Sequence, residues 1–217
     1  MTKPASETDL YTPPEIRKMR EMLREAKPAF DQKFAEDLLK EVLPIVEKIT
    51  GRTFKKTPKV QTASRKVVSE ALYHDLLPQL KILLPNASEK KVEQTTRAQA
   101  FGMAPLLLGK YGFEDKILYV LPGNFLPLLT LADIDAKYLK PIAMLIVAHE
   151  LVHALQDQET DLVSQLEHMK SQEEALSISS VIEGHAMLVM ERVGKEMKLD
   201  ERYHKAIVDL AGLYSKL

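Results

Sequence analysis

The stretch AHELVHALQDQ, residues 148–158, sets two histidines four residues apart with a glutamate directly after the first. On a helix, positions i and i+4 stack on one face, one turn apart. His149 and His153 can therefore turn ring nitrogens toward a single point. Glu150 lies about 100° round the helix from His149, where it can face a metal-bound water without being a ligand. On either side, Ile142, Leu145, Ile146 and Val152 extend the histidine stripe, and Met144, Val147, Ala148, Leu151 and Leu155 make a second. A helix apolar on two faces belongs in the middle of a fold. Two imidazoles and a carboxylate buried there without partners are costly, and a bound cation removes that cost. The plainer alternative is a pair of buried histidines satisfied by carbonyls or carboxylates.

A catalytic zinc takes three protein ligands and keeps one position open. Downstream stands EEALSISSVIEGHAMLVMERV, residues 173–193, with Leu176, Ser179, Ser180, Glu183 and Met187 along one helical side. Glu183 follows His153 by 30 residues, room for a loop and a returning helix. It is the best third ligand in the chain, and Ser180 and Gly184 offer small residues for close helix packing. His185 points about 200° away from Glu183 round the same helix, which sets it apart from that ligand group.

Around this centre the pattern alternates helices with a few short strands. A helix is expected from Pro13 or Pro14 to Lys27, and a second from Pro28 to Gly51, with Pro44 a site for a kink. KVQTAS (59–64) reads as a short strand, and Ser64 as the cap of a helix carrying Val67, Val68, Leu72, Leu76 and Leu80. Residues 97–108 are ambiguous. GKYGFED (109–115) reads as a turn, KILYV (116–120) as the clearest strand, and LPGN (121–124) as its end. Helices are expected near 140–156, 171–197 and 201–216. The fold class is therefore α+β and predominantly helical, with N-terminal helices over 1–56 and a domain over 57–217.

Composition narrows the chemistry. Lys+Arg 30 against Asp+Glu 31 leaves a net charge of -1, with no basic cluster for nucleic acid. The chain has no cysteine, so disulfides, thiolate ligands and thiol catalysis are excluded. MTKPASETDLYTPPEI lacks the apolar core of a signal peptide, and the longest apolar run, near Pro141–Ala148, is too short for a membrane span. Compartment is left open.

HELVHALQDQ followed by EALSISSVIEGHA resembles the gluzincin-type zinc metallopeptidases, in particular a group of small bacterial metallopeptidases reading HEL-x-HALQDQ and then EG-x-A. The resemblance covers roughly residues 57–190. It implies a zincin-like core with a small mixed sheet and a central active-site helix. Carried over, the ligands of one Zn2+ per chain are His149, His153 and Glu183, with Glu150 as the base that activates water. It also implies a peptide or protein substrate, received by an edge strand just before the active-site helix, and KILYV fits that place. Such peptidases steady the oxyanion with a Tyr or His, for which His185, Tyr203 and His204 are the candidates. Asp157, Glu173 and Glu174 are candidates for orienting the histidines. The rival expectation is a non-catalytic or latent protein of the same fold, binding a peptide or protein partner, with a structural metal or a site covered by residues 1–50.

Overall fold

The computed structural model describes residues 21–199, of which 21–25 are helical. The remainder of the helix expected from Pro13 or Pro14, and all of that over 201–216, lies outside the described residues. Helix α1, Gln32–Thr50, starts at Asp31, whose carboxylate accepts the Phe34 N–H at 2.9 Å. Its start thus falls at Gln32 rather than Pro28, because Asp31 satisfies a first-turn donor that a proline cannot. The helix runs on through Pro44 and ends at Gly51, whose φ of 67° is the left-handed cap geometry glycine adopts without strain.

Three strands form the sheet: β1 (Lys59–Thr62), β2 (Gly109–Tyr111) and β3 (Ile117–Val120), in the order β1-β3-β2. β1 pairs parallel and β2 antiparallel with β3. This corrects two expectations. GKYGFED is not one turn: GKY is a strand, and the turn proper is closed by Gly112 N–H to Ile117 O and Lys116 N–H to Gly112 O, both 2.9 Å. KILYV is the central strand, so both its edges are filled and it cannot accept a further strand.

Side chains alternate across β3. Leu118 and Val120 enter a core with Val60, Tyr111, α1 (Ala35, Leu38, Val42, Val46) and the long helix α5 described below. Tyr119 faces the other way, onto Val68, Leu72 and Tyr73 of α2 (Arg65–Leu83) and Ala100 of α3 (Glu89–Met103). The sheet is therefore a middle layer between two helical ones. Ser64 caps α2 as expected, accepting the Val67 N–H at 3.4 Å. The ambiguous region resolves into the end of α3, a 3₁₀ turn at Ala104–Leu106 and the approach to β2. LPGN both ends β3 and opens α4 (Pro122–Leu131), Pro122 serving as a first-turn residue.

The outer edge of β1 is closed by one side chain. Gln32 donates Nε2 to Val60 O at 3.0 Å and accepts the Thr62 N–H on Oε1 at 2.7 Å, doing for β1 what a neighbouring strand would.

Helix α5, Leu139–Thr160, crosses the centre with thirteen buried residues, nine of them from the two expected stripes. With the turn before it, it is the only described helix apolar and long enough to cross a membrane, yet 67% of its apolar window is buried inside the protein. Asp161 ends it at φ 48° and caps the short α6 (Leu162–Glu167) by accepting the Ser164 N–H. Helix α7, Gln172–Glu196, starts at Ser171 and returns along α5. The two helices pack through Ala186, Val189, Met190 and Val193. The buried small residue of α7 is Gly194, where a β-carbon would make ordinary contact with Leu145 Cδ2 at 3.6 Å, whereas Ser180 and Gly184 are exposed.

A candidate metal centre

Because α7 runs back along α5, Glu183 arrives opposite the turn of α5 that carries both histidines. His149 Nε2 and His153 Nε2 are 3.0 Å apart. Glu183 reaches them with Oε2 at 3.3 Å from His149 and Oε1 at 3.5 Å from His153. Ligands about 2.0–2.1 Å from a tetrahedral ion are separated by about 3.3 Å, so two ring nitrogens 3.0 Å apart with a carboxylate reaching one through each oxygen are close enough together to share one ion. The side chain of His153 is buried, that of His149 nearly so, and Glu183 is 61% exposed. The group opens to solvent on the α7 side. All three residues read from the sequence as ligands are thus brought together, and they are the only such group among the described residues.

The tautomer of His153 follows from its neighbour. Gln156 donates Nε2 to Ile182 O on α7 at 3.0 Å, so its oxygen faces His153 and accepts from Nδ1 at 3.0 Å. That leaves the Nε2 lone pair of His153 aimed at the centre. Facing His149 Nε2 at 3.0 Å, it needs a proton or a cation between them.

Electrostatics separate the three groups. Burial works against a charged His149, but the hydrogen bond to Glu183 and the charges of Glu150 and Glu183 outweigh it, and its pKa stands above the ordinary histidine value. Burial dominates at His153 and holds its pKa below that value, with His149 and Lys110 adding to the effect. Burial pushes Glu183 upward, yet the bond from His149 and the charges of both histidines leave it below the usual carboxylate range. A deprotonated carboxylate beside two nitrogen donors suits a divalent cation.

Glu150 is buried and lies on the sheet side of the histidines. Its Oε2 accepts the backbone N–H of Tyr111 at 2.6 Å. In the β2–β3 ladder Leu108, Lys110 and Gly112 face β3, so the N–H and C=O of Gly109 and Tyr111 point outward. Glu150 is therefore held by the free edge of β2. Gly109 makes room for this: a β-carbon there would lie 2.6 Å from Ile146 Cγ2 and 3.1 Å from Glu150 Cγ. The Tyr111 carbonyl accepts in turn from Lys110 Nζ.

The other expected positions play different parts. Asp157 does not touch the histidines; it is buried, accepting from Tyr111 Oη at 2.9 Å and pairing with Lys116 Nζ at 2.8 Å, which ties β2 to α5. Glu174 accepts the Lys170 N–H at 2.9 Å, at the start of α7. Glu173 is exposed in the same first turn. His185 is exposed and bonds Gln156 Nε2 at 3.1 Å through Nδ1. Tyr203 and His204 lie outside the described residues. Gln156, Tyr111, Gly109 and Lys110 were not anticipated. Only Gln156 carried a local signal, standing three residues after His153 on the same helical face.

No family model matches the chain, and no curated protein matches it. Among solved structures it is similar to a protein from Chloroflexus aurantiacus whose crystal structure is described as "a putative hydrolase with a novel fold". The TM-score is 0.60 at 16% identity, covering 91% of this chain and 73% of that one. At that identity the likeness speaks for the three-layered, predominantly helical fold alone.

Proposed function

We propose that the chain is a metal-dependent hydrolase, and specifically a zinc peptidase of zincin type. The observation that carries this reading is the convergence of His149, His153 and Glu183 on one point, with Glu150 held beside them and clear of the ligand set. The HELVHALQDQ resemblance and the described hydrolase character of the Chloroflexus aurantiacus protein point the same way. The two-histidine, one-carboxylate donor set fits zinc and leaves a fourth position for water. When bound, the ion would polarise a carbonyl and lower the pKa of a water molecule.

The chain's own residues do the rest. His149, His153 and Glu183 hold the ion, and Gln156 fixes the ring of His153. Glu150 accepts the proton of the attacking water and returns it to the leaving amine. Its Oε2 is fixed by Tyr111 N–H, so Oε1 is the atom that carries the proton. A peptide substrate lies along β2, the sheet edge beside Glu150, in place of the central β3. Strand addition there can use the outward N–H and C=O of Gly109 and the second lone pair of the Tyr111 carbonyl, leaving the Tyr111 N–H on Glu150.

The bonds from Tyr111 to Glu150 and Lys110 favour a second reading, distinct from a cover by residues 1–50: a latent form whose substrate edge is partly occupied by its own side chains. Truncation tests instead a form covered by the N-terminal segment, since it leaves Glu150 and Lys110 in place, and the cut must end before Gln32 because Leu38, Val42 and Val46 of α1 belong to the core. A gain in peptidase rate on removing residues 1–20 would support that cover.

Elemental analysis tests the primary reading. About one zinc per chain in the wild type, lost in Glu183→Ala, is the expected result. Glu150→Gln should keep the zinc and abolish cleavage in a peptide-library screen. A wild type that stays metal-free when zinc is supplied would sink the mechanism.

A further inference from the structure

Resting on that reading, we propose that Lys110 supplies the positive charge for the scissile carbonyl oxygen, the electrophile of the hydrolysis. Lys110 is the middle residue of β2, the edge that holds Glu150. Its side chain is only 14% exposed, and its ammonium meets Asp75 Oδ2 of α2 at 2.6 Å. The ammonium also donates to the Tyr111 carbonyl and stands 4.4 Å over the Phe113 ring. Phe113 in turn meets the His153 ring edge-on at 6.1 Å. The cation is thus one backbone unit from the group pinning Glu150, and one aromatic ring from a metal ligand.

Two physical arguments favour a role in chemistry. First, a buried Lys–Asp pair is a poor stabilising device, since apolar residues of the same volume usually do as well or better. What Asp75 does provide is a cation held in place without reorganisation, which electrostatic catalysis requires. Second, the ammonium has three N–H donors and two oxygen neighbours, Asp75 and Tyr111, so one donor remains for a substrate oxygen. Among the described residues expected for this task, His185 instead faces Gln156 and solvent.

The test uses the full chain loaded with cobalt, whose visible absorption reports the two-histidine, one-glutamate site without any turnover. The probe is an N-acetylated phosphinic peptide amide, which presents tetrahedral oxyanions and has no terminal carboxylate. Lys110→Met should bind cobalt with an unchanged spectrum and lose about 100-fold in affinity for the probe, the scale of one lost oxyanion donor. Lys110→Arg should keep most of that affinity. Lys110→Gln, which preserves hydrogen bonding without charge, replaces the methionine variant if that one fails to fold. Equal probe affinity in wild type and Lys110→Met, with cobalt bound, would overturn the role of Lys110 and leave the metal centre standing. So would a loss seen only with the free-acid form of the probe, which would make Lys110 a reader of chain termini. A wild type that takes up no cobalt overturns the metal reading itself, and with it this role.

Discussion

The side-chain oxygen of Gln156 lies 3.0 Å from Nδ1 of His153, while its nitrogen is tied to the carbonyl of Ile182, the residue before Glu183. One amide therefore sets the tautomer of one ligand and anchors the backbone beside another. The site is a joint between α5 and α7 as much as a set of three donors, and its geometry depends on that clamp.

Replacing Gln156 by Leu should leave the fold intact and weaken zinc binding by about 10–100-fold, the usual effect of removing such an outer partner. Gln156→Glu keeps an acceptor for Nδ1 and should lose less. Competition with a chromophoric chelator measures both, and a leucine variant with wild-type affinity would show that the clamp is dispensable.

The metal-free protein should titrate its two site histidines in opposite directions. His149 stands above its ordinary value of 6.5 and His153 below it. The raised His149 adds stability that is complete below pH 6.5 and fades as pH rises through its folded value. The lowered His153 does the reverse: its contribution is present above pH 6.5 and disappears as pH falls through its folded value. An entering cation must displace the His149 proton, so metal affinity should begin to fall on acidification while the pH is still above 6.5. Glu183→Gln keeps an acceptor but removes the carboxylate charge that helps raise His149, and should bring its titration down. Proton NMR of the imidazole Cε1–H resonances reads each shift; identical midpoints for the two rings would contradict the arrangement.

Gly109→Ala should be the most damaging methyl that can be added near the site. The new carbon would sit 2.6 Å from Ile146 Cγ2, a β-branched side chain with little rotamer freedom, and 3.1 Å from Glu150 Cγ. Overpacking of this kind typically costs about 1–3 kcal/mol. The strain also pushes Glu150 off the Tyr111 N–H, so hydrolysis should fall further than stability does, with zinc content unchanged. Urea melts and cleavage rates, run with and without Ile146→Ala to open space, separate the two effects. If Ile146→Ala brings back no stability, the clash is not the cause.

The parts of this architecture visible in the sequence are those fixed by local pattern. Helix α5 declared itself through two apolar stripes, the ligand residues through helical spacing, and β3 through a run of β-branched and aromatic residues. Strand β2 did not, because Gly-Lys-Tyr has little strand propensity and exists through pairing with β3 and the carboxylate of Glu150. Helix α3 was equally hidden: it buries only Val92, Thr96 and Ala100, a stripe too narrow to stand out from its charges. The place of KILYV at the centre of the sheet rested on that same unseen strand. Gln156 and Lys110 take their meaning from partners 26 and 35 residues away, Ile182 and Asp75, distances over which no local periodicity reports.

The bond between Tyr111 Oη and Asp157 Oδ2, 2.9 Å and fully buried, offers a last check on how β2 is held to α5. Tyr111→Phe deletes a donor while Asp157 keeps Lys116 at 2.8 Å, so the loss should be about 1–2 kcal/mol. Asp157→Ala is worse, because it strands the Tyr111 hydroxyl in an apolar core and opens a void, and about 2–3 kcal/mol is expected. Lys116 is half exposed and can turn to water, so it adds little to that figure. The double variant should cost less than the sum, since the second change removes a group the first has already orphaned. Because the backbone N–H of Tyr111 also fixes Glu150, both single variants should lower cleavage more than zinc binding. Strict additivity in a double-mutant cycle by chemical denaturation would mean that the two side chains do not depend on one another, and that other contacts seat β2 against the catalytic helix.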